Sequence, residues 1–429
     1  RPPNHPCQGP TLHWNRANRP QHRGPRAGPA ESRILKPQGA MVNNSDAYLE
    51  VGSAGVAEKQ FFTYAEPPDQ MILESGASLG PITIAYETWG KLSAKRDNAV
   101  LVAHAFSGDS HAAGFYPDDP EGAKPGWWDS MIGPGKGLDT DKYFVICANI
   151  LGGCMGTTGP SSINPETGAP FGLDFPMMTV GDIIESQKAL LDHLGISSLH
   201  TVVGGSVGGM QVLEWCVRYP DLVRSAIPIA TTMRHSALAI AFNEVARQAI
   251  MVDPKWNRGN YYDSEKPDLG LSVARMIGHV TYLSDEAMRR KFGRKLQNKA
   301  NFSYGFDVDF MVESYLRYQG SKFVKRFDAN SVLYITKAAD YFDLVNREPP
   351  AKSIQDIRGM EIKFLVISYT SDWLYPTYQA KELIQALKRA DLDVSFCEIE
   401  ADCGHDAFLI PDKRLGTLIG GFLDGVPRN

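Results

Sequence analysis

The residue best placed to do chemistry is Ser206, which lies among four glycines in the stretch GGSVGG, residues 204–209. A β-branched apolar run precedes this stretch, and a helix-like pattern follows it at once. A G-x-S-x-G sequence between a strand and a helix is typical of a nucleophile elbow, a strained turn that exposes a serine hydroxyl and needs small neighbours. The alternative is an ordinary glycine-rich turn that contains a serine.

A serine hydroxyl is a poor nucleophile unless a base activates it and a third group orients that base. In chains with such an elbow, the acid follows the serine and the histidine comes last. His405 is the one histidine after residue 280, and Asp372 closes the apolar run FLVISYTSD. We therefore predict a Ser206–His405–Asp372 triad. The alternatives are a surface-loop histidine and an aspartate that caps the helix expected near Pro376.

Two backbone amides are predicted to form the oxyanion hole. One belongs to Val207, the residue after the nucleophile, and the other comes from the loop after an early strand. That loop begins at about residue 104, which makes Phe106 the candidate. These features predict acyl transfer through an acyl-serine, but they do not distinguish water from another acceptor.

Strand and helix patterns alternate around these residues, which predicts a mostly parallel sheet with helices on both faces. The core is expected at residues 60–232 and 346–429, and a helical insertion at 233–345, where the strand pattern disappears. Residues 82–90 alternate like a half-exposed strand. The other strands are predicted at 98–105, 143–150, 199–204, 225–231, 362–372 and 393–400.

Residues 1–40 differ in composition from the rest. They are rich in Pro and carry seven Lys or Arg and one Glu, so the remaining chain has a net charge of about −11. We predict a disordered basic tail, with the functional chain beginning near Met41. A basic interaction tail is the alternative. The acidic remainder argues against nucleic acid as a partner.

Several other classes of protein and site are disfavoured. The sequence has no apolar run of eighteen residues, which predicts no membrane-spanning helix. The six cysteines form no C-x-x-C pair and are expected to be free thiols in a reducing, cytoplasmic compartment. No Cys/His cluster has ligand spacing, so no metal site is predicted.

Longer motifs give the chain a family resemblance. Over roughly residues 60–425 it resembles the homoserine O-acetyltransferase family, which has the α/β-hydrolase fold. The motifs that carry this resemblance are ITIAYETWG, NAVLVAHAFSGDSH, GWWDSMIGPGKGLDTDKYFVICANILGGCMGTTGPSSINPETG, VVGGSVGGMQVLEW, IAFNEVARQAI, GLSVARMIGHVTYLS, RFDANSVLYITKAADYFD and GHDAF.

The resemblance implies a two-step reaction. Acetyl-CoA acetylates Ser206, and the γ-hydroxyl of L-homoserine then takes the acetyl group. It also implies that Arg275 holds the substrate carboxylate, that Asp406 binds the amino group and that Tyr282 lines the same pocket. Arg247 is a second candidate for the carboxylate. From the residues alone, the alternative for Arg275 is a solvated helix arginine, and the alternative for Asp406 is a helix cap.

The resemblance further implies that the insertion is a lid that forms a tunnel to the serine and carries the contact of a homodimer. No bound cofactor is expected, acetyl-CoA being a co-substrate, and the product serves methionine biosynthesis in the cytoplasm. Val207, Phe106 and Ser107 stand where the family commonly has Met, Leu and Thr. A succinyl donor, another hydroxyl acceptor and a carboxylesterase activity therefore stay open.

Overall fold

One eight-stranded sheet organises the residues described by the computed structural model, which are 52–120, 122–347 and 352–428. The predicted basic tail at 1–40 lies outside them. The strands are β1 (Gln60–Tyr64), β2 (Ile82–Trp89), β3 (Ala99–Ala103), β4 (Phe144–Ala148), β5 (Leu199–Gly205), β6 (Ser225–Ile229), β7 (Lys363–Tyr369) and β8 (Asp393–Ile399).

The order of the strands across the sheet is β1-β2-β4-β3-β5-β6-β7-β8. β2 is antiparallel to both β1 and β4, and all the other neighbours are parallel. This arrangement confirms the predicted mostly parallel sheet. It also brings the carboxyl ends of β5, β6, β7 and β8 to one edge, where ligands bind in open α/β sheets.

Helices supply the connections from β4 to β5, β5 to β6, β6 to β7 and β7 to β8. In the described residues they are α1 (Val180–His193), α2 (Val207–Arg218), α3 (Ala237–Met251), α4 (Asp268–Tyr282), α5 (Asp285–Lys291), α6 (Met311–Phe323), α7 (Ala329–Asp340), α8 (Thr377–Arg389) and α9 (Lys413–Asp424). No helix in this part of the chain is long and apolar enough to cross a bilayer.

Five of these helices, α3 to α7, lie between β6 and β7, where the sequence predicted a helical insertion. α3 packs against both α4 and α7, and α4 packs against α6. The division of the chain into a core and a lid at 233–345 stays a prediction, because all the described residues belong to one compact unit.

Apolar clusters cover both faces of the sheet. Leu101 of β3 belongs to one cluster, and its neighbours Val100 and Val102 belong to the other. Burial on both faces explains the continuous apolar runs of the central strands. The expectation that residues 82–90 are half-exposed was wrong, since β2 is covered on both sides. Its polar Glu87 is fully buried and accepts a hydrogen bond from Tyr116.

α1 is capped at its start by side chains and is followed at its end by a glycine. The hydroxyl of Thr179 accepts the backbone amide of Asp182, and the Asp182 carboxylate accepts the amide of Thr179. Two otherwise unpaired groups at the helix start are thereby satisfied. Gly195 follows the end of the helix with a φ of 68°, in the left-handed region that glycine favours.

Close packing of α2 on the sheet depends on Gly208. A Cβ at this position would lie 2.1 Å from the carbonyl oxygen of Ala103 and 3.2 Å from that of His104. Both are backbone atoms at the end of β3, so neither can rotate away. Glycine at 208 thus lets the first turn of α2 touch the loop that carries Phe106.

We predict that Gly208→Ala lowers the free energy of unfolding by about 1–3 kcal/mol, because the added methyl group overpacks a backbone contact. It should also slow acylation of Ser206, since the elbow and the 104–106 loop must move apart. Urea unfolding and a burst assay with p-nitrophenyl acetate measure the two effects. Gly421→Ala in α9, where a Cβ meets nothing within 4 Å, is the control and should not destabilise the chain. Equal stability of the two variants would contradict the prediction.

Candidate active site

Ser206 sits at the junction of β5 and α2 in a strained backbone conformation, with φ 59° and ψ −124°. Such a conformation costs a non-glycine residue about 1–3 kcal/mol and persists only when the surroundings hold it. Here the amide of Ser206 donates to the carbonyl of Ile229 at 3.0 Å. The hydroxyl of Thr231 donates to the carbonyl of Ser206 at 2.8 Å. The stretch is therefore the predicted strand–turn–helix elbow rather than a chance turn.

The structure brings the three residues of the predicted triad together. His405 Nε2 lies 2.9 Å from the hydroxyl of Ser206, and His405 Nδ1 lies 2.8 Å from Asp372 Oδ2. A carboxylate only accepts hydrogen bonds, so Nδ1 carries the proton and Nε2 accepts the serine hydroxyl. This is the arrangement in which a histidine can remove the proton of a serine.

Both carboxylate oxygens of Asp372 accept hydrogen bonds. While Oδ2 faces His405, Oδ1 accepts the backbone amides of Leu374 and Tyr375 at 3.0 and 2.9 Å. Asp372 therefore accepts backbone amides as a capping residue does, but it is not the residue that caps the following helix. The N-cap of α8 is Pro376, which has no side-chain cap. These bonds fix the carboxylate that orients the imidazole.

The His405 loop is held against the segment between α4 and α5. Gly404 has a φ of 83°, and a Cβ there would lie 2.5 Å from the nitrogen of Ser284. The hydroxyl of Ser284 donates to the carbonyl of Asp402, and the indole of Trp373 donates to the carbonyl of Leu283 at 3.0 Å. The inserted helices thus touch both loops that carry the histidine and the acid.

The charges around His405 favour its protonated form. Burial lowers the pKa of His405, but the charge and the hydrogen bond of Asp372, together with the charge of Asp406, outweigh burial. The pKa is therefore raised above its usual value of 6.5. Because the base must be neutral to accept a proton, activity is present above this pKa and is lost as the pH falls through it.

The two residues predicted to supply the oxyanion amides line the cavity beside Ser206. Val207 is the first residue of α2, so its amide has no acceptor within the helix. Phe106 lines the same cavity as Ser206 and Val207. Its loop is tied to α2, because the side chain of Gln211 donates to the carbonyl of His104 at 3.1 Å. The position of both residues fits the predicted role.

A cavity beside Ser206 contains the predicted arginine. Arg275 and Tyr282, both on α4, line it together with Phe323 of α6. The guanidinium carbon of Arg275 lies 4.7 Å from the centre of the Phe323 ring, and Nη1 donates to the hydroxyl of Ser107 at 3.2 Å. Arg275 has no carboxylate partner among the described residues, which leaves its remaining donors for a bound anion.

Arg247, the second candidate for the substrate carboxylate, already pairs with two carboxylates. Nη1 of Arg247 lies 2.7 Å from Oδ2 of Asp340, and its Nη2 lies 2.9 Å from Oε2 of Glu244. Arg247 is buried and does not line the cavity. Of the two arginines that the sequence offered for a substrate carboxylate, the geometry therefore favours Arg275.

Asp406 follows His405 but is not among the residues that line the cavity. Burial raises the pKa of its carboxyl, and the positive charges of His405 and Arg275 lower it, with a net rise. It makes no hydrogen bond to another described side chain. The charge of Asp406 thus acts on His405 and Arg275, two residues of the site.

Two residues beside the nucleophile were missed by the sequence reasoning. Tyr375 lines the cavity, and its ring centre lies 5.1 Å from that of His405. The hydroxyl of Tyr375 is 3.0 Å from Nε2 of His235, which also lines the cavity. Tyr375 could have been found from its position three residues after Asp372. His235 could not, because its position at the start of the insertion does not point to the site. No cluster of His, Cys, Asp or Glu in the described residues could hold a metal ion.

Comparisons with known proteins agree with this geometry. The sequence pattern of the alpha/beta hydrolase fold matches residues 98–412. A homoserine O-acetyltransferase from Desulfotalea psychrophila is 68% identical over 374 residues, 87% of this chain and 96% of that protein. The crystal structure of homoserine O-acetyltransferase from Bacillus anthracis has a TM-score of 0.80 at 30% identity, covering 87% of this chain and 100% of that one.

A solved esterase, E22, is also similar, with a TM-score of 0.77 and 30% identity over 86% of this chain and 100% of the other. The fold and the elbow together define a chain of the α/β-hydrolase class. Within that class, the chain belongs to the homoserine O-acetyltransferase family. The resemblance seen in the sequence is thereby confirmed.

The acidic limb of the pH profile should respond to Asp406. We expect kcat/KM to fall as the pH drops through a pKa above 6.5, and Asp406→Asn to move this limb to lower pH. The physical reason is that the variant removes a charge that favours protonated His405. Asp402→Asn is the control: it removes the same charge from the same loop, but Asp402 is paired with Arg290 and does not act on His405. A limb that stays in place in Asp406→Asn would contradict the assignment.

Proposed function

We propose that the chain transfers the acetyl group of acetyl-CoA to the γ-hydroxyl of L-homoserine and releases O-acetyl-L-homoserine for methionine biosynthesis. The observation that carries this proposal is the 2.9 Å contact between His405 and Ser206, beside a cavity whose Arg275 has no carboxylate partner in the part of the chain that the structure describes. The 68% identity to a homoserine O-acetyltransferase supports the choice of acceptor.

In the first step, His405 Nε2 takes the proton of Ser206, and the serine oxygen attacks the thioester carbon. The amides of Val207 and Phe106 stabilise the negative charge that develops on the carbonyl oxygen. The carbon–sulfur bond then breaks, and the proton on His405 passes to the CoA thiolate. The products of this step are acetyl-Ser206 and free CoA thiol.

In the second step, His405 takes the proton of the homoserine γ-hydroxyl, whose oxygen attacks the acetyl carbon. The bond to Ser206 breaks, and His405 returns the proton to the serine oxygen. The fork of Arg275 suits the substrate carboxylate, because a guanidinium binds a carboxylate through two parallel hydrogen bonds. Asp406 contributes a negative charge toward the ammonium group, and Tyr282 supports Arg275 with its ring at 5.7 Å.

The proposal also covers the lid, the homodimer, the cofactor requirement and the compartment of the reaction. The helices within 233–345 form a lid over Ser206 and carry the contact of a homodimer, and the basic residues among 1–40 have no catalytic role. The reaction needs no bound cofactor, acetyl-CoA being a co-substrate, and takes place in the cytoplasm. The burial of Ser206, 7% exposed, supports a lid, because an open site would leave acetyl-Ser206 to water.

A carboxylesterase is the second candidate function, and the likeness to esterase E22 favours it. It would use the same triad, with water in place of homoserine. The two candidates differ in Arg275, which has no task in the hydrolysis of a simple ester.

The assay that separates the two follows thiol release from acetyl-CoA, with and without L-homoserine. We expect rapid release only with homoserine, because the acetyl-enzyme is shielded from water. Succinyl-CoA in parallel decides the donor, and L-serine serves as the alternative hydroxyl acceptor. Thiol release that ignores homoserine, combined with fast cleavage of p-nitrophenyl acetate, would leave the esterase as the function.

Arg275→Ala should raise the KM for homoserine roughly 10- to 100-fold, the loss expected for a charge-assisted hydrogen bond of about 1.5–3 kcal/mol. Acetylation of Ser206 in the absence of homoserine should change by less than about threefold, which rapid quench would measure. Arg317→Ala is the control, because Arg317 lies on α6 outside the cavity. If both half-reactions slow equally, Arg275 supports the oxyanion loop through Ser107 instead.

A further inference from the structure

A chain of hydrogen bonds between buried side chains ends on the loop that carries Phe106. The indole nitrogen of Trp215 donates to Oε1 of Gln187 at 2.7 Å, and Nε2 of Gln187 donates to Oε1 of Gln211 at 2.8 Å. Nε2 of Gln211 in turn donates to the carbonyl of His104 at 3.1 Å. All the members of this chain are buried, and the two-step reaction above uses none of them.

The two ends of the chain fix its direction. An indole N–H can only donate and a carbonyl oxygen can only accept, so each side-chain amide between them has one possible orientation. The oxygen of Gln211 therefore faces Gln187, and the NH2 group of Gln211 faces the backbone. Because the chain consists of an indole, two amides and a carbonyl, none of which is ionisable, its direction does not change with pH.

The NH2 group of Gln211 bridges the two segments that carry the predicted oxyanion amides. One contact is to the carbonyl of His104, two residues before Phe106, and the other is to the carbonyl of Val207 at 3.4 Å. Gln211 and Val207 lie one turn apart on α2, so the helix fixes the distance between them. The bridge thus ties the loop to the first turn of α2, where the missing side chain of Gly208 lets the two approach.

The side chain of His104 holds the loop between this bridge and the amide of Phe106. Nδ1 of His104 lies 2.8 Å from the carbonyl of Ala105, and Nε2 accepts the backbone amide of Ile150 at 3.1 Å. The carbonyl of Ala105 also accepts the amide of Gly108 at 2.9 Å. In a trans peptide the carbonyl of Ala105 and the N–H of Phe106 point in opposite directions, so the bonds that hold the carbonyl also aim the N–H.

We propose that Gln211 is a positioning residue of the oxyanion hole, which fixes the distance between the amides of Phe106 and Val207. Gln187 and Trp215 support it by orienting its side-chain amide. This inference rests on the part of the proposed function in which those two backbone amides stabilise the developing oxyanion. Donors aimed at a charge that develops only in the transition state raise the rate of acyl transfer without tightening the binding of substrate.

A purely structural role of Gln211 is the rival. Loss of its amide leaves buried partners unpaired, and a chain with fewer folded molecules loses all its activities in proportion. A misplaced oxyanion hole differs, because it slows only those reactions in which an oxygen carries the developing charge. Sulfur accepts hydrogen bonds weakly, so a thionoester, which places sulfur in the hole, depends little on the position of the two amides.

The test compares Gln211→Met with the wild-type chain on p-nitrophenyl acetate and p-nitrophenyl thionoacetate, which both acylate Ser206 and release p-nitrophenol. Methionine fills a similar volume but has no N–H to donate. We expect kcat/KM for the oxygen ester to fall about 10- to 100-fold, and that for the thionoester to change by less than about threefold. The ratio of the two values does not depend on the amount of folded enzyme.

Acetyl-CoA gives a second measurement. Rapid quench should show that the rate constant for acetylation of Ser206 falls by the same factor as the oxygen ester. The concentration of acetyl-CoA that gives half of the maximal rate should change by less than about threefold. The reason is that the carbonyl oxygen acquires its negative charge only as the serine attacks.

Two further variants complete the test. Gln187→Met removes the donor that orients Gln211 without a change in the loop or the elbow, so we expect the ratio of the two esters to fall about 3- to 10-fold. Gln379→Met is the matched control and should keep the wild-type ratio. Gln379 is a buried glutamine of α8 that donates to the hydroxyl of Tyr378 on the same helix at 3.3 Å.

An equal loss on both esters in Gln211→Met would overturn the inference, and so would an unchanged ratio in a chain that is merely less stable. The two esters need neither CoA nor homoserine, so their ratio tests the oxyanion hole alone. A wild-type chain that fails to acetylate homoserine would overturn the proposed acceptor, while the ratio would still decide the role of Gln211.

Discussion

The hydrogen bond between Ser206 and His405 joins residues 199 positions apart, and it exists only because the strands keep their register. Gly205 at the end of β5 pairs with Ile229, and Ile229 pairs with Ile367 of β7. β7 and β8 then run side by side to their common end. Each member of the triad follows one of these strand ends, so a slip of one residue would break the contact and turn every strand side chain to the other face.

Much of this arrangement is predictable from the sequence, because it depends on local patterns. Apolar runs mark the strands, glycines mark the elbow, and a single late histidine leaves His405 without rivals. The structure of the insertion is not predictable in this way, because helix faces pack by contacts between segments far apart in the chain. Arg247 and Arg275 look alike in the sequence, and only the packing of α3 on α7 shows that Asp340 takes one of them. The hydrogen bond between His235 and Tyr375 is not predictable from the sequence either, because it joins residues far apart in the chain.

The insertion is coupled to the chemistry through both loops of the triad. The backbone of Ser284 packs closely against Gly404, the residue before His405. His235 is hydrogen-bonded to Tyr375, which follows Asp372 in the chain. A movement of α4 or α3 would therefore disturb the imidazole and the acid together. The strained conformation of Ser206 is held by its backbone hydrogen bonds with Ile229 and Thr231 at the end of β6 and by the contact of its hydroxyl with His405.

The decisive chemical choice comes after the first step, when acetyl-Ser206 meets either water or an alcohol. Both would be activated by the same base, so the triad cannot select between them. Selection must come from what the cavity admits and holds. Ser206, His405 and Asp372 are each less than a tenth exposed, which limits water near the ester. An amino acid, in contrast, gains ionic and hydrogen-bonding contacts at both ends of its short chain. In the proposed function, the groups that distinguish a transferase from an esterase are therefore those that bind the two ends of the amino acid, which are Arg275 on the inserted helix α4 and Asp406 next to His405.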